Sequence, residues 1–257
     1  MSTVTALYRY PVKGLSPEPM DSMPLEAGAG LAGDRAWALH VGPVPFDPRA
    51  PQALEKNNFL ALVRYETLAT TVTKLNGTTL TVQGLSGGTL ATGDLATSDG
   101  QAAITAFYHR LTGLQANKTV TVTHAPGHKF TDVGPRGPDF MRAVSVINLS
   151  SVRDLERRAG VPIDPMRFRG NILIDGLEPW VELDWEGRSV QIGSVQAIGM
   201  LRTQRCAATC VDPATGIRDH NVPGLLKQHV GHFDCGVYIQ IITSGTIATG
   251  DGITVTG

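Results

Sequence analysis

Apolar and polar residues alternate over residues 3–10, up to Pro11, and again over 36–41 after the glycine-rich stretch 27–33. A period of two lays one apolar face along a strand, so both stretches predict strands. Residues 70–74 and 78–83 repeat the pattern on either side of Asn76-Gly77, a dipeptide that suits a tight hairpin turn. Further strands are predicted at 120–123, 144–149, 172–175, 189–192, 195–201, 237–243 and 253–255. Helical spacing is rarer. Ile104, Phe107, Tyr108 and Leu111 share one face of a helix over 101–112, capped by Ser98 or Asp99 and stopped by Gly113. Ser151 and Asp154 have capping-box spacing at the start of a short basic helix over 152–159, closed by Gly160. A third short helix covers 225–230.

Composition points the same way. The 257 residues include 29 glycines and 16 prolines, which break the chain into short runs and favour sheets joined by turns over bundled helices. A hydrophobic content of 42% fills a sizeable core without disulfide staples. The expected fold class is β-rich α+β with a few short helices. Lys and Arg number 22 against 23 for Asp and Glu, so no general field gathers nucleic acid or an anionic membrane surface, and any anion site must be local. No apolar run approaches the roughly 18 to 20 residues that cross a bilayer, and no basic-then-apolar leader precedes the first strand. Three cysteines, a sparse and odd set, make a poor disulfide framework, and the expectation is a cytoplasmic protein with reduced thiols.

Cys206 ends a predicted strand beside Arg205 and near Arg202. Neighbouring cations favour the thiolate, the form that binds metal or attacks an electrophile; a small buried filler is the alternative reading. Cys206 and Cys210 lack the spacing of a zinc or redox pair, and three cysteines match no iron–sulfur pattern. Lys13, Arg35 and Arg169 each flank a predicted strand and a turn, where a cation can project into a cleft and meet a phosphate. Taken singly, each also fits a solvated surface charge or an internal salt bridge, with Asp34 the natural partner of Arg35. The turn at Ser150 and Ser151 brings a strand to a helix start, where free N–H groups favour an anion or simply a cap. His124 and His128 flank Pro126 and Gly127, which forbid the helical turn of a zinc pair, and read as surface or lining residues.

Two strings carry a resemblance. Arg169-Gly-Asn171, followed after a strand by Arg205-Cys206-Ala-Ala-Thr209-Cys-Val211-Asp212-Pro213-Ala-Thr215-Gly216, resembles the MOSC domain, named after the C-terminal part of molybdenum cofactor sulfurases. Tyr10-Pro11-Val12-Lys13-Gly14 with Gly33-Asp34-Arg35-Ala-Trp37 is similar to the β-barrel domain that precedes MOSC in mitochondrial amidoxime-reducing components and their bacterial relatives. The resemblance implies an N-terminal β-barrel-like domain over 1–115 packed on a MOSC β-barrel domain over 116–257. It also implies a molybdenum cofactor (molybdopterin) whose metal takes Cys206 as its protein ligand and catalytic centre, with Lys13, Arg35, Ser150, Ser151, Arg169, Asn171 and Arg205 around the cofactor. The activity implied is reduction of a small N-hydroxylated substrate, with electrons from a separate reductase partner; a sulfur carrier using a Cys206 persulfide is the alternative. Three positions depart from the pattern: Gly14 where relatives often have serine, Gly170 where proline is common, and Cys210 where the amidoxime reducers commonly have threonine.

Overall fold

A computed structural model describes residues 2–256. Its main sheet has eight strands in the spatial order Ile253–Thr256, Ser189–Ile192, Val195–Gln204, Asp234–Ile241, Val144–Asn148, Ile172–Asp175, Thr3–Arg9 and Glu18–Met20. All neighbours are antiparallel except Val144–Asn148 and Ile172–Asp175. That parallel pair needs a crossover, and the helix Leu149–Ala159 lies within it. Bulges between Val4 and Ala6, Gly199 and Leu201, and Arg202 and Gln204 add bend to the sheet, which curls into a half-barrel.

The period of two decides which residues face which core. Val144, Val146, Ile172, Ile174, Val237 and Ile239 point into the curl of the sheet. Ile147, Leu173 and Cys235, from the same strands, point the other way and meet Val152 and Leu155 of the Leu149–Ala159 helix and Val222 and Leu226 of the helix Val222–Val230. A separate cluster of Val12, Leu60, Leu80, Ile104 and Tyr108 fills the N-terminal half. It underlies the sheet Thr71–Asn76, Thr79–Gly84 and Thr89–Asp94 and the helix Ser98–Leu111. The Asn-Gly hairpin forms as expected, with Asn76 opposite Thr79 and Gly77 at a positive φ of 59°. The Thr3–Arg9 and Glu18–Met20 strands come from the start of the chain yet complete one edge of the main sheet. Among the described residues, no helix is long and apolar enough to cross a membrane.

Three helix starts differ from expectation, and the last helix begins three residues early, at Val222 with Asn221 as its cap. Thr97 caps the Ser98–Leu111 helix by accepting from Gly100 N, in place of Ser98 or Asp99. The basic helix starts at Leu149 and not Val152, because Asn148 at the strand end accepts from Ser150 N at 3.1 Å and lets the helix begin at once. The Ser151 hydroxyl is thereby free for another task. It donates to the Glu182 carboxylate at 2.8 Å, while Asn148 Nδ2 donates to the same group at 3.0 Å. Glu182 is fully buried and no cation pairs with it among the described residues. Burial therefore pushes its carboxyl above the ordinary value of 4.5, with the two donors opposing the shift. The fold thus retains a proton that the unfolded chain releases nearer 4.5. Stability from this group is present below pH 4.5 and is lost as pH rises through the raised folded value. Urea midpoints measured from pH 4.5 to 7 should fall more steeply in the wild type than in Glu182→Gln, where this proton is absent; parallel curves would count against a raised Glu182.

Candidate functional site

One buried carboxylate organises the region where the two halves meet. Asp34 is 3% exposed and accepts from Tyr10 N at 2.8 Å, from Asn171 Nδ2 at 3.0 Å and from the Arg35 guanidinium. Asn171, with no exposure, also donates to Tyr8 O at 3.1 Å and accepts from Ser145 N at 3.2 Å and Arg35 Nη1 at 3.3 Å. Every polar atom of the amide is used. Arg35 Nη2 in turn donates to Arg169 O at 3.3 Å, so these contacts fix two arginines relative to three strands of the main sheet.

Both arginines adopt left-handed backbone, φ 50° at Arg35 and 53° at Arg169, a conformation that costs a residue with a Cβ on the order of 1–2 kcal/mol. The strain brings both guanidinium groups onto the ring of Tyr10, 4.8 Å and 4.4 Å from its centroid. Tyr10 is completely buried, which pushes its phenol up to about 12 and leaves it a neutral platform between two cations.

Both arginines line a cleft of about 270 Å³. Eight cations face it: Lys13, Arg35, Lys56, Arg136, Arg167, Arg169, Arg202 and Arg205, against the single carboxylate of Asp132. Adding the carboxylates that pair with them from behind, Asp34, Asp184, Asp212 and Asp219, makes five against eight and leaves three positive charges over. In a chain of net charge −1 that excess is local, as an anion site requires. Burial lowers Lys13 from the ordinary lysine range, opposed by its ion pair with Asp132. The Asp132 side chain keeps about half of its surface, 52%, open to solvent; crowding by the protein around it disfavours its charge, but the Lys13 ammonium outweighs this and holds Asp132 at about 2. Arg169 is lowered by burial as well, and among the described residues its guanidinium has neither a carboxylate nor a hydrogen-bond partner, only the Tyr10 face. Two further lining atoms, Arg167 Nε and Thr203 Oγ1, are buried without partners. Unsatisfied donors beside an excess of cations suit a ligand rich in anionic oxygen.

Cys206 lines the cleft where the Val195–Gln204 strand ends and the short 3-10 helix Ala207–Cys210 begins. Arg167 clamps that helix: it is 2% exposed, donates to Thr209 O and Cys210 O, and pairs with Asp212 at 3.1 Å and Asp219 at 2.7 Å. Arg205 spends its guanidinium on backbone carbonyls. Its Nη1 donates to Phe168 O at 2.8 Å and its Nε to Cys235 O at 2.7 Å.

Of the residues singled out in the sequence, Lys13, Arg35, Arg169, Arg205 and Cys206 share this cleft. Asn171 does not line it; its amide is consumed inside the protein and it acts by holding Arg35. Ser150 and Ser151 lie off the cleft: Ser151 serves Glu182, and Ser150 Oγ meets Asp175 at 3.3 Å and Arg153 at 3.1 Å. Cys210 is half-buried beside Asn221 rather than filling the core. His124 stacks on Trp37 and His128 packs against Phe46 and Phe130, away from the cleft. Tyr10, Asp132, Arg167 and Thr203 were not among the residues singled out, since only the fold brings them together. Two glycines are explained by space: a Cβ at Gly14 (φ 82°) would lie 2.3 Å from Leu60 O, and one at Gly170 would lie 2.5 Å from Ile147 Cγ1.

Comparison with known proteins adds four facts. The model of the MOSC domain family matches residues 121–254, a span that includes Arg167, Arg169, Arg205 and Cys206 but not Lys13 or Arg35. Mitochondrial amidoxime-reducing component 1 of Mus musculus is 32% identical over 124 residues, 44% of this chain and 36% of that protein. The molybdenum cofactor sulfurase of Anopheles gambiae is 32% identical over 108 residues, 37% of this chain and 14% of that protein. The crystal structure of the YuaD protein from Bacillus subtilis aligns over 99% of this chain and 96% of its own at 13% identity, with a TM-score of 0.45. The chain thus spans well under half the length of these two sequence relatives. The contacts around Tyr10 separate two roles by stability. Asn171→Leu takes one of three donors from Asp34 and removes the side-chain partners of Tyr8 O and Ser145 N, and should cost roughly 3 kcal/mol in denaturant unfolding, whereas Arg169→Met, which breaks no side-chain hydrogen bond, should stay within about 1 kcal/mol of wild type.

Proposed function

The chain belongs to the MOSC domain family, and from that premise we propose that its basic cleft holds a molybdenum cofactor, with Cys206 as the protein ligand, for the reduction of small N-hydroxylated compounds. The observation that carries the reading is a cysteine in a cleft where eight cations face one carboxylate. The donor set fits the group: a phosphate-bearing, metal-binding ligand needs fixed cations for its oxygens and a soft sulfur for its metal. When bound, the cofactor supplies the two-electron redox chemistry.

The chain's own residues have separable tasks. Arg35 and Arg169, held by strained backbone and the Tyr10 ring, bind anionic oxygens with guanidinium forks that are oriented before the ligand arrives. Lys13 adds a point charge, and Asp132 keeps that charge neutralised until another anion competes for it. Arg167 sets the position of Cys206 by fixing the helix that follows it. The net reaction breaks an N–O bond, takes two electrons from a separate reductase and two protons from solvent, and releases the amine or amidine and water. The relatives named for amidoxime reduction support this choice of substrate class. A cytoplasmic setting belongs to the same reading, in keeping with three cysteines that are all free.

The second reading, a sulfur carrier with a persulfide on Cys206, is favoured by the half-buried thiol of Cys210 four residues on and by the sulfurase relatives. Mass spectrometry of metal-free native protein showing one extra sulfur on Cys206 would select it. The leading reading makes a sharper demand. Protein purified after expression with molybdate should carry molybdenum, and Cys206→Ser and Arg169→Gln should each lower that content at least tenfold without loss of fold. Wild-type protein without molybdenum, or loaded protein inert toward hydroxylamines and amidoximes with a chemical reductant, would overturn it.

A further inference from the structure

Beside the basic cleft lies a second space of about 310 Å³ with the opposite chemistry. Its walls include Leu15, Leu68, Ala69, Val72, Leu85 and Val211, drawn from four parts of the chain. The 3-10 helices Glu66–Thr70, Pro165–Phe168 and Ala207–Cys210 all contribute to it. The two spaces are continuous in the sense that Gly14, Leu62, Arg167, Arg169 and Ala208 line both. Ala208 is two residues from Cys206, so the apolar space opens next to the place where a substrate would react.

Charge enters this second space mainly along the wall it shares with the cleft, where Arg169 and Arg167 stand, and at Asp164. Arg167 is committed to Asp212, Asp219 and two backbone carbonyls, and Asp164 accepts from Met166 N at 2.8 Å as a helix cap. Val72 and Leu85, 42% and 45% exposed, form an apolar rim open to solvent. A pocket of this size is near the lower end of small-molecule sites, and away from the wall shared with the cleft its side is formed by Leu15, Leu68, Ala69, Val72, Leu85 and Val211, which suits an uncharged apolar group.

We propose that this pocket is the specificity subsite of the enzyme, receiving an uncharged hydrophobic group of about one aromatic ring carried by the N-hydroxylated substrate; the inference rests on the reductase reading above. The N-hydroxyl end lies in the basic cleft by Cys206 and the apolar end lies across the shared wall formed by Ala208 and the two arginines. Substrates with one head group and different tails should then be sorted by tail.

Benzamide oxime and acetamide oxime make the comparison, because they share the amidoxime and differ as phenyl against methyl. The cofactor-loaded wild-type protein should prefer the phenyl compound in kcat/KM by roughly ten- to a hundredfold, the range that a ring's extra apolar burial provides. Two variants probe the pocket from inside and from its rim: Ala69→Phe fills it, and Leu85→Glu, at an exposed turn with little cost to folding, places a charge at its mouth. Each should bring the ratio between the two substrates toward one. Binding of benzamide oxime followed by ligand-observed NMR gives a readout independent of turnover, and Leu85→Glu should weaken it at least fivefold. A preference for phenyl that survives in both variants, or binding indifferent to Leu85→Glu, overturns the subsite. Binding that weakens as expected in a protein that reduces neither compound supports the pocket while rejecting the reductase reading, so the two failures can be told apart.

Discussion

The buried contact among Asp34, Asn171 and Arg35 joins what the chain order keeps far apart. A carboxylate at 3% exposure is costly unless several donors compensate it, and here the donors come from the Arg35 side chain, the Tyr10 backbone and the Asn171 amide. Because Asn171 also binds Tyr8 O and Ser145 N, the first strand, the parallel pair and the loop bearing Arg35 are locked in one arrangement. Moving any member leaves a buried polar group unpaired. The site therefore inherits its rigidity from polar satisfaction more than from apolar packing.

That rigidity permits an arrangement that would otherwise repel itself. Two guanidinium groups share one aromatic ring, each on a left-handed residue, and Arg169 has no counter-ion among the described residues. Such strain persists only where the surroundings over-determine it. The cost is met by folding, so a ligand with several anionic oxygens finds its partners already in place and loses little in ordering them. Asp132 on Lys13 acts as the resident counter-charge, keeping the cleft from being uniformly positive.

Much of this was legible in the sequence, and the boundary of legibility has a physical cause. Alternation located the strands because one face of nearly every strand is buried, and the Arg169 to Asn171 and Arg205 to Thr209 strings placed the cysteine and its cations in one family pattern. Side-chain direction was not legible. Ser151 sits at a helix start that could serve an anion, yet the fold turns its hydroxyl to Glu182, a residue 31 positions later. Asn171 stands in the same string as Arg169, yet its amide is spent on Asp34, Tyr8 O, Ser145 N and Arg35. Arg167, two residues from Arg169, carries no local sign that its partners are Asp212 and Asp219. Tertiary pairing decides such cases, and neither period nor spacing encodes it.

The place of the first strand has a consequence for handling the protein. Thr3–Arg9 covers the Ile172–Asp175 edge of the main sheet, while the family match starts only at residue 121. A fragment trimmed to the matched span would present Ile172, Leu173 and Ile174 on an unpaired edge, with backbone donors and acceptors open to any passing chain. Such an edge templates intermolecular sheet growth, so trimming to the recognised domain would trade a covered core strand for an aggregation-prone one.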